Sequence, residues 1–183
     1  MLQPNSIKRH PLLIVYTGDG KGKTTSAMGL VFRTLGHEGK VFVIQFLKSE
    51  SLKTGEKKMA KRLGVGWENY GTGFLKTEQD FIKAKEIIEK GWQRAKELIT
   101  ANKYDLIILD EFTHSLKNNL ISTEQALSFF KSLKGDEQVP HIVITGRDAP
   151  KQLIEIADLV SSVEVIKHPY IESKLLAQKM IEF

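Results

Sequence analysis

The chain of 183 residues contains no cysteine. Thiolate catalysis, disulfide bonds and cysteine-based metal sites are therefore excluded. No apolar run is long enough to cross a bilayer. Residues 1–11, interrupted by Pro4, Lys8, Arg9 and Pro11, contain no signal-peptide core. Positive charge is in modest excess, +5, and is spread along the chain. Its densest cluster, Lys57, Lys58, Lys61 and Arg62, reads as the solvated face of a helix and not as a nucleic-acid patch. His10, His37, His114, His141 and His168 have no metal-ligand spacing, so each is read as structural. These absences leave a cytoplasmic enzyme with neither membrane nor nucleic acid as partner. A hydrophobic content of 41% supports one compact domain, residues 12–183, behind a short arm, residues 1–11.

What is present is an alternation. Apolar, β-branched runs predict strands at Leu12–Thr17, Val41–Phe46, Leu106–Leu109, Ile142–Thr145 and Leu159–Ile166, with a shorter one at Val65–Tyr70. Helical periodicity predicts helices at Lys23–Leu35, Leu52–Leu63, Glu78–Thr100, from Ser122 to about Leu133, and Pro150–Ala157. Thr77 and Asp80 form a capping box ahead of the longest helix. Phe81, Ala84, Ile88, Trp92, Ala95 and Ile99 fall on its inward stripe, which makes Trp92 a core residue. Strands alternating with helices imply an α/β fold whose mostly parallel sheet carries helices on both faces.

The first strand runs into YTGDGKGKTTS, Tyr16–Ser26, and then into a helix. Strand, glycine-rich turn, Gly22-Lys23-Thr24 and helix form the context of a phosphate-binding loop. Glycines allow consecutive backbone N–H groups to converge on a phosphate, and the helix start adds its unpaired amides. Lys23 would neutralise the outer phosphates, and the Thr24 hydroxyl would serve Mg²⁺. The loop departs from G-x-x-x-x-G-K-[ST] at its first position, where Thr17 replaces glycine and glycines appear at Gly18 and Gly20.

LIILDEF, residues 106–112, ends four apolar residues in two carboxylates. Strand C-termini of an open parallel sheet face the ligand crevice. Asp110 is thus placed to hold Mg²⁺ directly or through water, with Glu111 as a second metal contact or a water-activating base. Arg147, after the strand ending in Thr145-Gly146, projects into the same crevice, where its fork matches phosphate oxygens.

These residues, together with RTLGHEGKVFVIQFLKS, YGTGF, VITGR and KHPY, resemble the ATP:corrinoid adenosyltransferases of the cobalamin pathway, the CobA/BtuR/CobO type. The resemblance runs from about Thr17 to the C-terminus. It implies a single-domain P-loop NTPase-like fold of the RecA type. It also implies transfer of the 5′-deoxyadenosyl group of ATP to the Co(I) of a reduced corrinoid, with release of triphosphate. The family binds ATP in reversed orientation, which accounts for the missing glycine. Carried over, Gly18, Asp19, Gly20, Lys21, Gly22, Lys23, Thr24 and Thr25 hold the triphosphate with Arg147, and Arg33 matches an arginine near the nucleotide. Thr24 and Glu111 serve Mg²⁺, with Asp110 beside them. Phe74 matches an aromatic that closes over the lower face of the corrinoid, and Lys76 stands where the family carries tryptophan. After KHPY the tail IESKLLAQKMIEF departs from the family pattern. A homodimer and a flavin or flavodoxin-type reductant are implied as well. The alternative from another class, a small-molecule kinase or ATPase using the loop conventionally, is disfavoured by the missing glycine and the lack of a clear lid segment. A non-catalytic nucleotide-binding module has only the basic helix around Lys57 in its favour.

Overall fold

Four mostly apolar runs and two more polar edge segments become the six strands of one parallel sheet, in the order β3-β2-β4-β5-β1-β6. The computed structural model describes residues 10–49, 54–73 and 77–181. Within these, β1 (Leu13–Thr17), β2 (Val41–Phe46), β3 (Gly66–Tyr70), β4 (Leu106–Asp110), β5 (His141–Thr145) and β6 (Leu159–Ser162) alternate with helices. The helices are α1 (Lys23–Leu35), α2 (Gly55–Arg62), α3 (Glu78–Thr100), α4 (Phe112–Lys117), α5 (Thr123–Ser132), α6 (Lys151–Ile156) and α7 (Pro169–Ser173). No described helix is long and apolar enough to cross a membrane.

The four inner strands, β2, β4, β5 and β1, are mostly apolar at consecutive positions because both sheet faces are covered there. Val41 and Val43 pack with Ala27 and Val31 of α1 and Ala60 of α2 on one face. Phe42, Ile44 and Phe46 pack on the other with Ile88, Trp92 and Ile99 of α3 and Phe130 of α5. Trp92 is in the core, 5.2 Å from the Phe112 ring and 5.6 Å from Phe130. The Thr77–Asp80 capping box starts α3 as the sequence predicts.

Three expectations are corrected. Strand β6 stops at Ser162 and not at Ile166, and it is an exposed edge strand paired with β1 alone. The chain leaves the sheet there because Val163 is engaged by the phosphate loop: its N–H donates to the Thr17 carbonyl and its carbonyl accepts from the Gly20 N–H, at 2.8 and 2.7 Å. Phe81, in the first turns of α3, is exposed, unlike the rest of its stripe. Helix α4 was not expected; it is six residues long and buries Phe112 and Leu116 one turn apart. Helix α2 begins at Gly55, with Thr54 as N-cap; the predicted start at Leu52 lies outside the described residues.

Candidate active site

The row of strand C-termini carries a line of buried polar groups in an otherwise apolar sheet. Gln45, Asp110 and Thr145 are all buried, and Asp110 has no exposure at all. A buried carboxylate is tolerated only when donors surround it. Asp110 has three, and a lysine beside them. Its Oδ1 accepts from the Thr24 and Thr145 hydroxyls at 2.8 and 2.7 Å. Its Oδ2 accepts from the Gln45 amide at 2.7 Å, with Lys48 Nζ 3.6 Å away. The donors come from α1, β5 and β2 and the lysine from the turn after β2, so one carboxylate ties together four segments of the crevice.

The phosphate loop lies above this carboxylate. Gly22 is the N-cap of α1, at φ 118°, with no side chain capping the helix, so the first amides of α1 are open to an anion. Gly18 and Gly20 are packed against the chain beyond β6. A Cβ on Gly20 would lie 2.6 Å from the Glu164 carbonyl oxygen and 2.8 Å from Val163. The Gly20 N–H is spent on Val163, so these two glycines permit close backbone approach, while the amides facing the cavity start further along.

Lys23 is buried, and its Nζ donates to the Gly20 carbonyl at 2.5 Å. Burial, then the Arg147 guanidinium, pulls its pKa below the usual 10.5, against the opposing pull of Glu111, Asp19 and Asp110. An ammonium held in this way gains when an anion arrives.

A cavity of about 580 Å³ is lined by residues 20–26, Lys48, Glu56, Glu111, Arg147 and Ile181. It brings together Lys21, Lys23, Thr24, Thr25, Glu111 and Arg147 of the predicted site. Arg147 is carried in by a turn that only glycine fits: Gly146 has φ 136°, and a Cβ there would collide with the Thr113 side chain. The Thr113 hydroxyl then holds the Arg147 carbonyl at 2.6 Å. Glu111 is also in a left-handed conformation, φ 60°, its N–H donating to Thr145 Oγ1 at 3.0 Å. That geometry turns its carboxylate toward the cavity, 3.4 Å from His114 Nε2.

Gly18 and Asp19 do not line this cavity. Arg33 is not brought to it either: it lies ten residues beyond Lys23 on α1, about 15 Å of helix rise, and lines a separate pocket with His37, Glu38, Asp105 and His141. Phe74 and Lys76 lie outside the described residues. Two further cavities adjoin the first. One, about 540 Å³, lies between the turns after β2 and β3, lined by Leu47, Lys48, Ser49, Thr72, Gly73, Glu111 and His114. The other, about 470 Å³ and mostly apolar, lies between α1 and α2 and shares Thr25, Glu56 and Ile181 with the first.

Sequence reading missed Gln45, Lys48 and Thr145. The signal was available. Gln45 is the one polar residue of VFVIQF and Lys48 follows its end, so the strand-terminus argument that located Asp110 applies to them equally.

The family model described as ATP:corrinoid adenosyltransferase BtuR/CobO/CobP matches residues 9–183. The chain belongs to this family. A corrinoid adenosyltransferase of Sinorhizobium sp. is 39% identical over 94% of this chain and 80% of its own length. One from Escherichia coli K12 is 32% identical, covering 87% of this chain and 79% of that protein. The corrinoid adenosyltransferase CobA of Salmonella typhimurium is 31% identical over 94% and 85%. Among solved structures, the flagellar accessory protein FlaH of Methanocaldococcus jannaschii superposes with a TM-score of 0.54 at 15% identity, covering 86% of this chain and 73% of that one. That likeness concerns the fold alone. Family membership makes this chain an ATP:corrinoid adenosyltransferase, a transferase.

The lowered pKa of Lys23 gives a proton-linkage test. A bound polyphosphate favours the ammonium and raises that pKa, so ATP affinity should fall as pH rises through the lowered value. Without ligand, the unfolded chain binds more protons between the lowered value and 10.5, so this group makes stability rise with pH in that window. Calorimetric titration of ATP at alkaline pH, in two buffers of different ionisation enthalpy, should report proton uptake. Proton release, or none exchanged, would contradict the assignment.

Proposed function

We propose that the phosphate-loop cavity holds the triphosphate of ATP while C5′ of the ribose meets the Co(I) of a reduced corrinoid. Cobalt supplies the electron pair for the new Co–C bond. The C5′–O bond breaks, and triphosphate departs with the bonding electrons. Co(I) is itself the nucleophile, so the protein is asked for alignment and for charge opposite the leaving group. The observation that carries this reading is the convergence of Lys23, Lys48, Arg147 and the open amides of α1 on one cavity. Lys23 and Arg147 are proposed as the groups that stabilise the departing triphosphate, with Lys21, Gly22, Thr24 and Thr25 around it.

The donor set fits Mg²⁺. Thr24 gives its hydroxyl proton to Asp110, which leaves oxygen lone pairs for a cation, and the Glu111 carboxylate opens on the same cavity. Among the described residues no cluster of three metal-binding side chains exists. A few hard oxygen donors completed by substrate phosphates is the arrangement Mg²⁺ favours. Thr24 and Glu111 would hold it, with Asp110 acting through Thr24, and the ion would neutralise charge on the leaving phosphates.

The corrinoid is assigned to the cavity between the turns after β2 and β3, which shares Lys48 and Glu111 with the phosphate cavity. Gly73 lines it and directly precedes Phe74, the residue proposed to shield the lower face and displace the lower ligand. The same reading includes a flavin or flavodoxin-type electron donor, a cytoplasmic setting and a homodimer. In support of the last, the edge beyond β1 leaves Leu159, Val160 and Val165 exposed.

Two experiments test the proposal. Lys23→Ala should lower turnover at saturating ATP by about 10²–10³, the cost of losing one preorganised donor to a developing charge. Inorganic triphosphate should compete with ATP for the parent enzyme but hardly for this variant. Near-normal turnover would remove Lys23 from the site. Phe74→Ala should be badly impaired with Co(II) corrinoid and a flavin reductant, yet close to normal with chemically pre-reduced Co(I). Equal loss in both assays with a lowered melting temperature would make Phe74 a packing residue.

A further inference from the structure

Asp110 can present Thr24 to a cation only if its own carboxylate is held as an acceptor in one orientation. The sheet contains a device that does this. Asn69, Gln45 and Asp110 are register partners on three adjacent strands, β3, β2 and β4. Their side chains form a continuous line. The Trp67 indole Nε1–H donates to Asn69 Oδ1 at 3.0 Å, Asn69 Nδ2 donates to Gln45 Oε1 at 2.9 Å, and Gln45 Nε2 donates to Asp110 Oδ2 at 2.7 Å.

The direction of this line is set chemically at its outer end. An indole N–H can only donate, so the Asn69 atom facing it is the carbonyl oxygen. The Asn69 amide nitrogen must then face Gln45, which forces the Gln45 carbonyl outward and its NH₂ onto Asp110. Reversing Gln45 would set NH₂ against NH₂ and carbonyl against carboxylate, and reversing Asn69 would set NH₂ against the indole N–H and carbonyl against carbonyl. At the other oxygen the same logic holds. Thr145 Oγ1 accepts from the Glu111 N–H, so its own proton goes to Asp110. Asp110 is thereby an acceptor on every side, and the Thr24 hydroxyl must donate to it, with its lone pairs directed away.

The geometry assigns Gln45 as a positioning residue of the metal-nucleotide site, its orientation fixed by Asn69 and Trp67 at the sheet edge. It touches neither cation nor phosphate and acts through Asp110 and Thr24. This inference rests on the proposed Mg²⁺ site and deepens it.

Mn²⁺ binding to the enzyme–ATP complex, followed by electron paramagnetic resonance without any corrinoid, separates the two. Thr24→Val serves as the reference and should lose Mn²⁺ binding. Gln45→Leu should weaken Mn²⁺ by about tenfold or more, the scale of a lost hydrogen bond to a charged group. Trp67→Phe keeps an aromatic side chain but removes the donor, and should weaken it in the same direction by a smaller factor. A loss with Thr24→Val but parent-like binding in both Gln45→Leu and Trp67→Phe would overturn the positioning role alone. Parent-like binding in Thr24→Val would overturn the metal site and the role together. If Gln45→Leu does not fold, Trp67→Phe decides the matter.

Discussion

One buried carboxylate sets the terms for this structure. Asp110 has no exposure, and its closest cation among the described residues is Lys48, paired with it at 3.6 Å. A charge in such a place is stable only while its hydrogen-bond donors stay put. Those donors are Thr24 at the start of α1, Gln45 on β2 and Thr145 on β5. The need to satisfy Asp110 therefore fixes where the phosphate loop ends, where the crevice floor lies and how the turn carrying Arg147 begins. In the proposed metal site, the same carboxylate would orient the Thr24 hydroxyl for a cation.

Most of the architecture was legible because it follows from periodicity. Consecutive apolar residues in Val41–Phe46 and Leu106–Leu109 meant strands covered on both faces, and the two cores found on either side of the sheet are the consequence. The capping box at Thr77 and Asp80 marked the start of α3 because local hydrogen bonds decide such ends. What failed was decided by distant contacts. Nothing local in Leu159–Ile166 says that Val163 will be taken by the Thr17 carbonyl and the Gly20 amide. Helix α4 escaped notice because six residues give too little periodicity to read.

The site divides in the same way. Lys23, Thr24, Asp110 and Glu111 were found from motif and strand-end position, and the fold gathers them around one crevice. Arg33 was carried over from the family resemblance, and α1 places it toward the opposite end of the helix, with His37 and Asp105. Gln45 and Lys48 lie in the family segment RTLGHEGKVFVIQFLKS but went unassigned because that segment gives neither a role; the register of β2 with β3 and β4 shows Gln45 joining Asn69 to Asp110. The glycines show a further division of labour that spacing could not reveal. Gly18 and Gly20 admit the chain beyond β6, whereas Gly146 admits Thr113.

The central claim is that this cavity holds triphosphate as a leaving group and not as a phosphoryl donor. Phosphorus magnetic resonance of the spent reaction, with ATP and pre-reduced Co(I) corrinoid, tests it most directly. The expected result is intact inorganic triphosphate in a one-to-one ratio with a new cobalt–carbon bond seen in the visible spectrum. ADP with orthophosphate or a phosphorylated acceptor, formed without a cobalt–carbon bond, would contradict it.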